Sequence, residues 1–396
     1  MKFLKYILLL LFVTSSVIAS SSDIVKTTTP PLLTSSGIPN IVPTPPDFPV
    51  KGFILIDANS GNVLAEKNAD THLPPASLTK IMTLYLTAQA LKDGKIHFDD
   101  QVRISENAWH KGGSRMFIKV GSTVPVKELI DGIVIASGND ATVAMAEYLA
   151  GTEDTFANLM NQTAASLGMR DTHYVDSNGL PEPNHYSTSR DIATLAKEWI
   201  LTFPEYYPWF KQQWIEYNGI KQPNRNRLLW HDSSVDGMKT GHTDDAGYCL
   251  VASALRNNMR LIAVIMGATS EKLRLDDAEG LLNYGFRFFE SHKLYNAGVT
   301  LVKPRMWYGK ENAIALGVKR DFYVTVPVGQ YKNLKAKLDI NQDLQAPIVK
   351  EQECGKLNIT LDGKIISSAP LVALQDNPRA GVFSRSWDRL VRLFNR

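Results

Sequence analysis

Cysteine is scarce in this sequence, with only Cys249 and Cys354 among 396 residues. Thiols so far apart in the chain match none of the spacings that hold zinc or iron–sulfur clusters, and we expect neither a metal nor a cofactor. One disulfide remains possible in an oxidising compartment, but we favour two separate buried thiols. A chain of this length with 44% hydrophobic residues can form two or three domains with a sizeable core.

The sequence also lacks a strong excess of charge of either sign. Its 43 lysines and arginines against 40 acidic residues give a formal net charge of +3, or about +1 without Lys2 and Lys5 of the N-terminal segment. A chain so close to neutral generates no strong field. Composition therefore gives no indication of a nucleic-acid partner.

Long hydrophobic runs are missing at the N-terminus, where the apolar run from Tyr6 to Val13 is too short for a bilayer, which takes about 20 residues. Lys2 and Lys5 precede this run, and small or polar residues follow it up to Ala19. That order is typical of a secretory signal peptide, here residues 1–19, with an uncleaved anchor as the alternative. We therefore expect an exported protein, periplasmic or at the outer face of the cytoplasmic membrane.

Four segments follow the predicted signal peptide. Residues 20–49 are rich in Ser, Thr and Pro and predict an extended or disordered linker, with order beginning at Gly52. Residues 50–292 combine a helical cluster with a short antiparallel sheet built from both ends of the segment. Residues 293–380 predict a small all-β domain, and residues 381–396 form a separate tail. The predicted fold class is therefore α+β.

Hydrophobic periodicity and turn residues predict the individual elements. We expect a first hairpin over residues 53–66 and a second over residues 249–268. A helix is expected to carry Ser77 in its first turn, and further helices are expected over residues 126–136, 141–149, 191–201 and 272–289. Strands of the small domain are expected at residues 299–303, 322–328, 334–340 and 357–361.

Three short motifs carry the chemistry, although each alone is uninformative. Ser77-Leu78-Thr79-Lys80 places a hydroxyl and an amine one helical turn apart. A serine hydroxyl is a poor nucleophile without a base, and a lysine can act as that base only if burial and a helix dipole lower its pKa. Ser137-Gly138-Asn139 lies in a predicted break between helices, from which it can relay a proton and hold a substrate amide. Lys239-Thr240-Gly241, on a predicted edge strand, offers a cation and a hydroxyl to an anionic C-terminus, and its glycine permits close approach of a peptide backbone.

In this order and spacing the three motifs resemble those of penicillin-binding proteins and serine β-lactamases. Residues 74–83, 137–141 and 236–243 closely resemble the low-molecular-mass D-alanyl-D-alanine carboxypeptidases, a serine-type, peptidase S11-like family. The similarity runs from about Gly52 to the last residue and excludes the linker. Gly138 replaces the aspartate of the Ser-Asp-Asn motif, which favours the carboxypeptidases over class A β-lactamases.

The resemblance implies a penicillin-binding-protein-like fold and an enzyme that removes the terminal D-alanine from peptidoglycan stem peptides and is inhibited by β-lactams. It implies that Ser77 attacks the substrate carbonyl to form an acyl-enzyme and that Lys80 is the base. Ser137 would return the proton to the leaving D-alanine, while Asn139 steadies the peptide and Lys80.

The remaining implied roles concern substrate binding. Lys239 and Thr240, with Gly241 beside them, would receive the substrate carboxylate. The backbone N–H groups of Ser77 and His242 would form the oxyanion hole. Arg225 and Arg274 align with family arginines near the cleft and can equally be surface charges.

The C-terminal tail predicts an amphipathic helix. At 100° per residue, the apolar residues of the tail fall within an arc of roughly 100°: Phe383, Trp387, Leu390, Val391 and Phe394. Its arginines lie on the opposite side of the helix: Arg385, Arg389, Arg392 and Arg396. Such a helix is typical of a segment lying in the plane of an anionic membrane surface, so residues 383–396 predict peripheral anchoring. The alternative is a terminal helix packed on its own β domain.

Three rival functions share some of these features. A class A β-lactamase needs a Glu-x-x-Leu-Asn stretch between the second and third motifs, and neither Glu182 nor Glu198 is followed by one. A DD-endopeptidase would have the same motifs, but such relatives usually lack the β domain and tail. A non-catalytic wall-binding scaffold would need no activated nucleophile.

Overall fold

The computed structural model of the chain describes residues 42–394. The predicted signal peptide, residues 1–19, lies outside this range, as do residues 20–41 of the predicted linker and the last two residues of the tail. Among the described residues, no helix combines the length and the apolar character needed to cross a bilayer.

The helices of the described range lie mostly before residue 290. Their bounds are α1 Lys80–Lys92, α2 Glu106–His110, α3 Val126–Asp131, α4 Asn139–Ala150, α5 Glu153–Ser166, α6 Ser189–Thr202, α7 Leu228–His231, α8 Glu271–Phe288 and α9 Val382–Phe394. A 3-10 turn, Ala76–Thr79, precedes α1, and a π-turn, Gly132–Ala136, follows α3.

The strands of the described range have the bounds β1 Gly52–Asp57, β2 Val63–Lys67, β3 Gln101–Arg103, β4 Thr123–Pro125, β5 Trp214–Tyr217, β6 Ile220–Pro223, β7 Val235–Thr243, β8 Gly247–Arg256, β9 Met259–Ala268, β10 Phe289–Tyr295, β11 Leu316–Gly317, β12 Phe322–Pro327, β13 Lys335–Ile340, β14 Glu353–Leu361 and β15 Lys364–Ala373. The described strands form a five-stranded sheet in the first part of the chain and two sheets in the last part, together with the two-stranded pair β3–β4 and the small hairpin β5–β6.

The main sheet is antiparallel, with strand order β2-β1-β9-β8-β7. The N-terminal hairpin therefore pairs with β9, and the sheet is built from both ends of the segment, as predicted. Alternate residues of β9 face opposite sides, so Ile262 and Val264 pack into the helical cluster while Leu261 and Ala263 pack against α8. Because both faces are covered, β9 is almost wholly buried and forms a rigid support for its neighbours.

Strand β7 lies at the edge of this sheet, as predicted for the strand that carries Lys239. Its register with β8 pairs Lys239 with Val251 and Gly241 with Cys249. The other side of β7 contacts the 3-10 turn that carries Ser77. The edge position therefore leaves one side of β7 open to the site.

The C-terminal part contains a four-stranded sheet, ordered β11-β15-β14-β13, and the two-stranded pair β10–β12. Leu357, Ile359 and Leu371 pack with Val324 and Val326 to form one of its two hydrophobic clusters. This part also contacts the first hairpin: Asn62 Nδ2 donates to the Thr325 carbonyl at 3.2 Å.

Three predictions about local structure were wrong. Residues 299–303 form no strand, because Pro304 ends the segment and only an isolated bridge between Val302 and Leu316 is made. The α-helix after Pro75 begins at Lys80 rather than at Ser77. The chain also packs before Gly52: the ring of Phe48 lies 5.8 Å from that of Phe53, and Tyr284 donates to the Pro43 carbonyl.

The two cysteines are buried and unbonded, as favoured from the sequence. Cys249 lies in β8 of the main sheet and Cys354 in β14 of the small domain. Burial raises the pKa of the Cys249 thiol to about 11. Both therefore act as small apolar core residues.

Candidate active site

Ser77 lies in the 3-10 turn that leads into α1. The preceding residue, Ala76, has φ +48°, a left-handed conformation that an alanine adopts only at a cost. Gly179 packs directly against this turn, since a Cβ at that position would lie 1.8 Å from the Ala76 carbonyl oxygen. The turn still brings the two predicted groups together: Lys80 Nζ lies 2.9 Å from Ser77 Oγ.

Lys80 is completely buried and its nitrogen has three neighbours. Besides Ser77, it donates to Asn139 Oδ1 at 2.7 Å and to the Asn178 carbonyl at 2.6 Å. Burial lowers the pKa of Lys80 to about 7, against the opposing effect of the Asp176 carboxylate, and the charge of Arg225 lowers it further. A neutral amine has two N–H groups and one lone pair. With two fixed acceptors for the N–H groups, the lone pair is directed at the Ser77 hydroxyl.

The orientation of the Asn139 amide is fixed by its second contact. Asn139 Nδ2 donates to the Gly112 carbonyl at 2.7 Å, so Oδ1 faces Lys80. Asn139 is the first residue of α4, directly after the break at Ser137-Gly138. The second motif thus supplies an acceptor that holds the lysine in place.

Ser137 ends the π-turn and also has a left-handed backbone, with φ +58°. The turn passes so close to Met116 that a Cβ at Gly132 would lie 2.3 Å from the Met116 sulfur. Lys239 donates to Ser137 Oγ at 2.9 Å. Because the Ser137 oxygen accepts from Lys239, its own proton remains to be donated.

Lys239 reaches Ser137 from strand β7 and is itself buried. Its second bond is to the Thr240 carbonyl at 3.1 Å. Burial lowers the pKa of Lys239 well below its ordinary value, and the charges of Lys80, Arg225 and Arg274 act in the same direction. A carboxylate ligand would place a negative charge next to this amine and so oppose these effects.

Gly241 allows β7 to approach Ser77. A Cβ there would lie 3.1 Å from the backbone nitrogen of Ser77 and 3.1 Å from the Pro75 carbonyl oxygen. Arg274 on α8 donates to the Gly241 carbonyl at 3.4 Å and to Glu271 at 3.1 Å, and it is almost fully buried. The absence of a side chain at Gly241 therefore leaves the Ser77 amide accessible.

An open cleft of about 600 Å³ lies above these groups. Seven predicted site residues line it: Ser77, Ser137, Arg225, Thr240, Gly241, His242 and Arg274. Lys80, Asn139 and Lys239 are connected to this lining through the bonds already described. The His242 side chain is exposed, and its ring lies 4.0 Å from that of Tyr248 at an interplanar angle of 31°.

The electrostatic character of the cleft is positive. Within the described residues, the lining contains one carboxylate, Glu271, and it is already bonded to Arg274. The lining also contains Arg225 and Arg227, and Lys239 lies beneath it. A low-dielectric cleft with unmatched cations favours an anionic ligand.

Residues 112–114 form a rim of the cleft, and sequence reasoning missed the residue that anchors the chain next to this rim. Asp140 accepts backbone N–H bonds from Met116 at 2.8 Å and from Phe117 at 2.8 Å. These bonds attach the rim to the start of α4, next to Asn139. Asp140 directly follows the second motif, and this position was a signal that it belongs to the site. Nothing in the sequence shows which backbone amides it binds.

A second missed residue is Glu153 at the start of α5. It accepts from Ser177 Oγ at 2.6 Å and from Asn178 Nδ2 at 2.9 Å, and so it fixes the segment whose carbonyl holds Lys80. Lys111 donates to its other oxygen at 2.7 Å. In sequence, Glu153 is an ordinary acidic residue in the first turn of a helix, so no local pattern could have identified it.

The segment around Asn178 has a third anchor. Asp176 accepts the backbone N–H groups of Asn178 at 2.8 Å and Gly179 at 2.6 Å, which closes a tight turn. His185 contacts Thr79 at 2.9 Å between Nε2 and Oγ1, and burial lowers the pKa of this imidazole. Lys80 is thus held by a short loop that is fixed on several sides.

Comparison with known proteins places this geometry in context. A D-alanyl-D-alanine carboxypeptidase family profile matches residues 40–270, and that of the C-terminal domain of penicillin-binding protein 5 matches residues 289–379. The chain is 44% identical to D-alanyl-D-alanine carboxypeptidase DacA of Escherichia coli K12 over 366 residues, 90% of this chain and 91% of that protein.

Solved structures give the same result. Penicillin-binding protein 5 of Haemophilus influenzae is 42% identical with a TM-score of 0.80, covering 85% of this chain and 99% of that one. Penicillin-binding protein D2 of Listeria monocytogenes, solved in an ampicillin-bound form, is 29% identical with a TM-score of 0.57, covering 61% of this chain and 100% of that one.

Proposed function

The chain belongs to the D-alanyl-D-alanine carboxypeptidase family, and we propose that it removes the terminal D-alanine from peptidoglycan pentapeptides through an acyl-serine intermediate. One observation assigns the steps of this reaction to particular residues. Two buried lysines each contact a serine hydroxyl on the wall of one cleft, and one of them has a pKa near neutrality. That arrangement suits acyl transfer between a nucleophile and a leaving amine.

Acylation begins at Ser77. Its oxygen attacks the carbonyl carbon between the two D-alanine residues, and its proton moves to the Lys80 lone pair. The C–N bond then breaks, and the leaving nitrogen takes a proton from the Ser137 hydroxyl. The proton that Lys80 took from Ser77 then returns to the Ser137 oxygen. Lys80 is therefore neutral again before water hydrolyses the ester.

The developing oxyanion needs donors that are already in place. The backbone N–H groups of Ser77 and His242 are assigned this role, since both residues line the cleft. Loss of one such donor typically costs about 3–4 kcal/mol of transition-state stabilisation. Gly241, on β7 next to the turn that carries Ser77, keeps the Ser77 amide uncovered.

The terminal carboxylate of the substrate is assigned to Lys239 and Thr240, with Arg225 and Arg274 adding positive charge. Arg274 has a buried Nε without a hydrogen-bond partner in the described residues. An unpaired buried donor is destabilising, so an incoming anion would relieve it. This explains a preference for a peptide that ends in a free carboxylate.

Penicillin labelling tests the assignment. Wild type should bind a fluorescent penicillin covalently and release D-alanine from an acyl-L-Lys-D-Ala-D-Ala tripeptide, and Ser77→Ala should do neither. Ser166→Ala, an exposed serine on α5, is the matched control and should behave as wild type. Labelling of the Ser77→Ala protein at the wild-type rate would refute the nucleophile.

The same preparation separates the rival functions. Rapid hydrolysis of nitrocefin would indicate a β-lactamase, and cleavage of purified muropeptide dimers to monomers would indicate an endopeptidase. No D-alanine release from any pentapeptide would indicate a non-catalytic binder. We expect D-alanine release with slow nitrocefin turnover.

We further propose that the chain is exported and attached to the outer face of the cytoplasmic membrane through α9. Phe383 is 94% exposed and Trp387 67% exposed on this helix, whereas Asp388 is 5% exposed. Asp388 accepts the backbone N–H of Tyr308 at 2.7 Å. The helix thus packs on the small domain through its polar side and leaves its aromatic side uncovered, as membrane insertion requires.

The domain assignment follows the same lines. Residues 50–292 are assigned as the catalytic domain and residues 293–380 as a β-rich domain between it and the membrane helix. The Asn62–Thr325 contact joins these two parts directly.

A further inference from the structure

A groove of about 420 Å³ lies between α9 and the small domain. Three arginines line it, two from the helix and one from the chain just before it: Arg379, Arg385 and Arg389. The rest of its wall is formed by Tyr308, Gln345, Ala346, Val382 and Ser386. No carboxylate is among the described lining residues.

The arginines of the groove lack counter-ions. None of the ion pairs in the described part of the chain involves these three residues, while the carboxylates nearby are engaged elsewhere. Asp388 accepts from Tyr308 and pairs with Arg305 at 3.6 Å, and Asp343 pairs with Arg392 at 2.7 Å. The groove is therefore a concentration of positive charge open to a ligand.

The hydrogen bonds of the guanidinium groups are also incomplete. Arg385 Nε is buried and has no partner in the described residues. Arg379 uses only Nε, which donates to the Ala346 carbonyl at 3.3 Å. A buried donor without an acceptor is destabilising, which indicates that the acceptor comes from outside the chain.

The position of the groove identifies the source of that acceptor. An interfacial helix inserts its apolar side about 5–10 Å into the boundary of headgroups and acyl chains. A helix is about 10 Å across, so the side opposite Phe383 and Trp387 lies among the headgroups. Arg385 and Arg389 are on that side, at the depth where lipid phosphates are found.

We propose that Arg379, Arg385 and Arg389 form a binding site for the phosphate of an anionic phospholipid. The proposal rests on the membrane attachment of α9 and adds a specific headgroup site to it. Guanidinium groups bind phosphate oxygens in a bidentate manner that a lysine ammonium cannot reproduce. Specific recognition is therefore distinguishable from diffuse attraction of charge.

The test is sedimentation of the purified chain with vesicles of phosphatidylcholine alone or mixed with phosphatidylglycerol. Arg385→Gln/Arg389→Gln should weaken binding to the mixed vesicles roughly 30-fold, from the typical contribution of two basic residues at an anionic surface. The control Arg103→Gln/Arg170→Gln removes the same charge from exposed positions of the catalytic region and should bind as wild type.

A charge-conserving pair decides between a site and diffuse electrostatics. Arg385→Lys/Arg389→Lys should bind the mixed vesicles at least fivefold more weakly than wild type. Wild-type binding by this pair would refute the phosphate site and leave the membrane attachment intact. Penicillin labelling at the wild-type rate verifies that each variant is folded.

A third pair tests the attachment on which the proposal rests. Phe383→Ser/Trp387→Ser should lose binding to both kinds of vesicle. Undiminished binding would refute the membrane role of α9 and with it the headgroup site. Inorganic phosphate at the same total concentration as the vesicle phosphate should compete only weakly if lipid is the ligand. Complete displacement would refute the lipid assignment.

Discussion

Acylation of Ser77 should fall steeply as the pH is lowered from 8 to 5. The reason is the pKa of Lys80, which burial brings to about 7. Only the neutral amine can take the serine proton, and its fraction falls from about 0.9 at pH 8 to about 0.01 at pH 5. The acylation rate at saturation should therefore decrease roughly 90-fold over this range.

The measurement is stopped-flow labelling with a fluorescent penicillin at saturating concentration, at closely spaced pH values from 5 to 9. A penicillin carboxylate stays ionised over this range, so the ligand does not contribute a titration. Protein held at pH 5 and returned to pH 8 should recover its full rate, which excludes unfolding as the cause. Lys80→Arg keeps the charge but has no accessible lone pair, so it should show no measurable acylation at any of these pH values.

Two results would contradict this mechanism. A rate independent of pH between 5 and 8 would mean that Lys80 does not titrate in this range. A rate that still rises about tenfold per pH unit up to pH 9, as a midpoint near the ordinary lysine value of 10.5 requires, would mean that burial does not lower the Lys80 pKa. Either outcome would remove Lys80 as the base that acts at neutral pH.

Three further predictions concern stability and positioning. Lys80→Met should abolish acylation yet raise the melting temperature at neutral pH. The pKa of Lys80 is lower in the folded chain than in the unfolded chain, so the free energy of unfolding decreases as the pH falls from 10.5 to 7, by at most about 5 kcal/mol. An unchanged or lower melting temperature would contradict this prediction. Glu153→Gln should slow acylation about tenfold by loosening the segment that holds the lysine, whereas Asp276→Asn, in an exposed ion pair, should not; equal rates in the two would refute the positioning role. Gly241→Ala should slow acylation about tenfold or more by crowding the nucleophile amide, with a small change in melting temperature; a wild-type rate would show that the strand yields.

The groups that meet at the candidate site could be predicted from the sequence because the motifs are local. Ser77 and Lys80 are three residues apart, and any tight helical turn brings such a pair together. Lys239 and Gly241 alternate with Thr240 along one strand, which fixes their relative orientation. The order of the three motifs then indicated the family, and the predicted edge position of the strand that carries Lys239 is confirmed.

The supports of the site could not be predicted, since they depend on contacts between distant segments. Glu153 and Asn178 are 25 residues apart, and only the fold of the intervening chain brings them within hydrogen-bond distance. The packing of residues 42–49 on the domain was missed for a related reason. A segment rich in proline lacks periodicity, so the packing of the half-buried Phe48 against Phe53 leaves no local signal.

The two buried lysines differ in what surrounds them, and this difference decides which of them acts as base in the proposed mechanism. Asp176, Asp140 and Glu153 counteract the effect of burial at Lys80, whereas the effects identified at Lys239 all disfavour its charge. Two protonated amines in one low-dielectric site repel each other. A substrate carboxylate placed against Lys239 stabilises the proton there. The positive charge then resides on the lysine that binds the substrate, and Lys80 is left neutral beside Ser77 when the carbonyl is in position for attack.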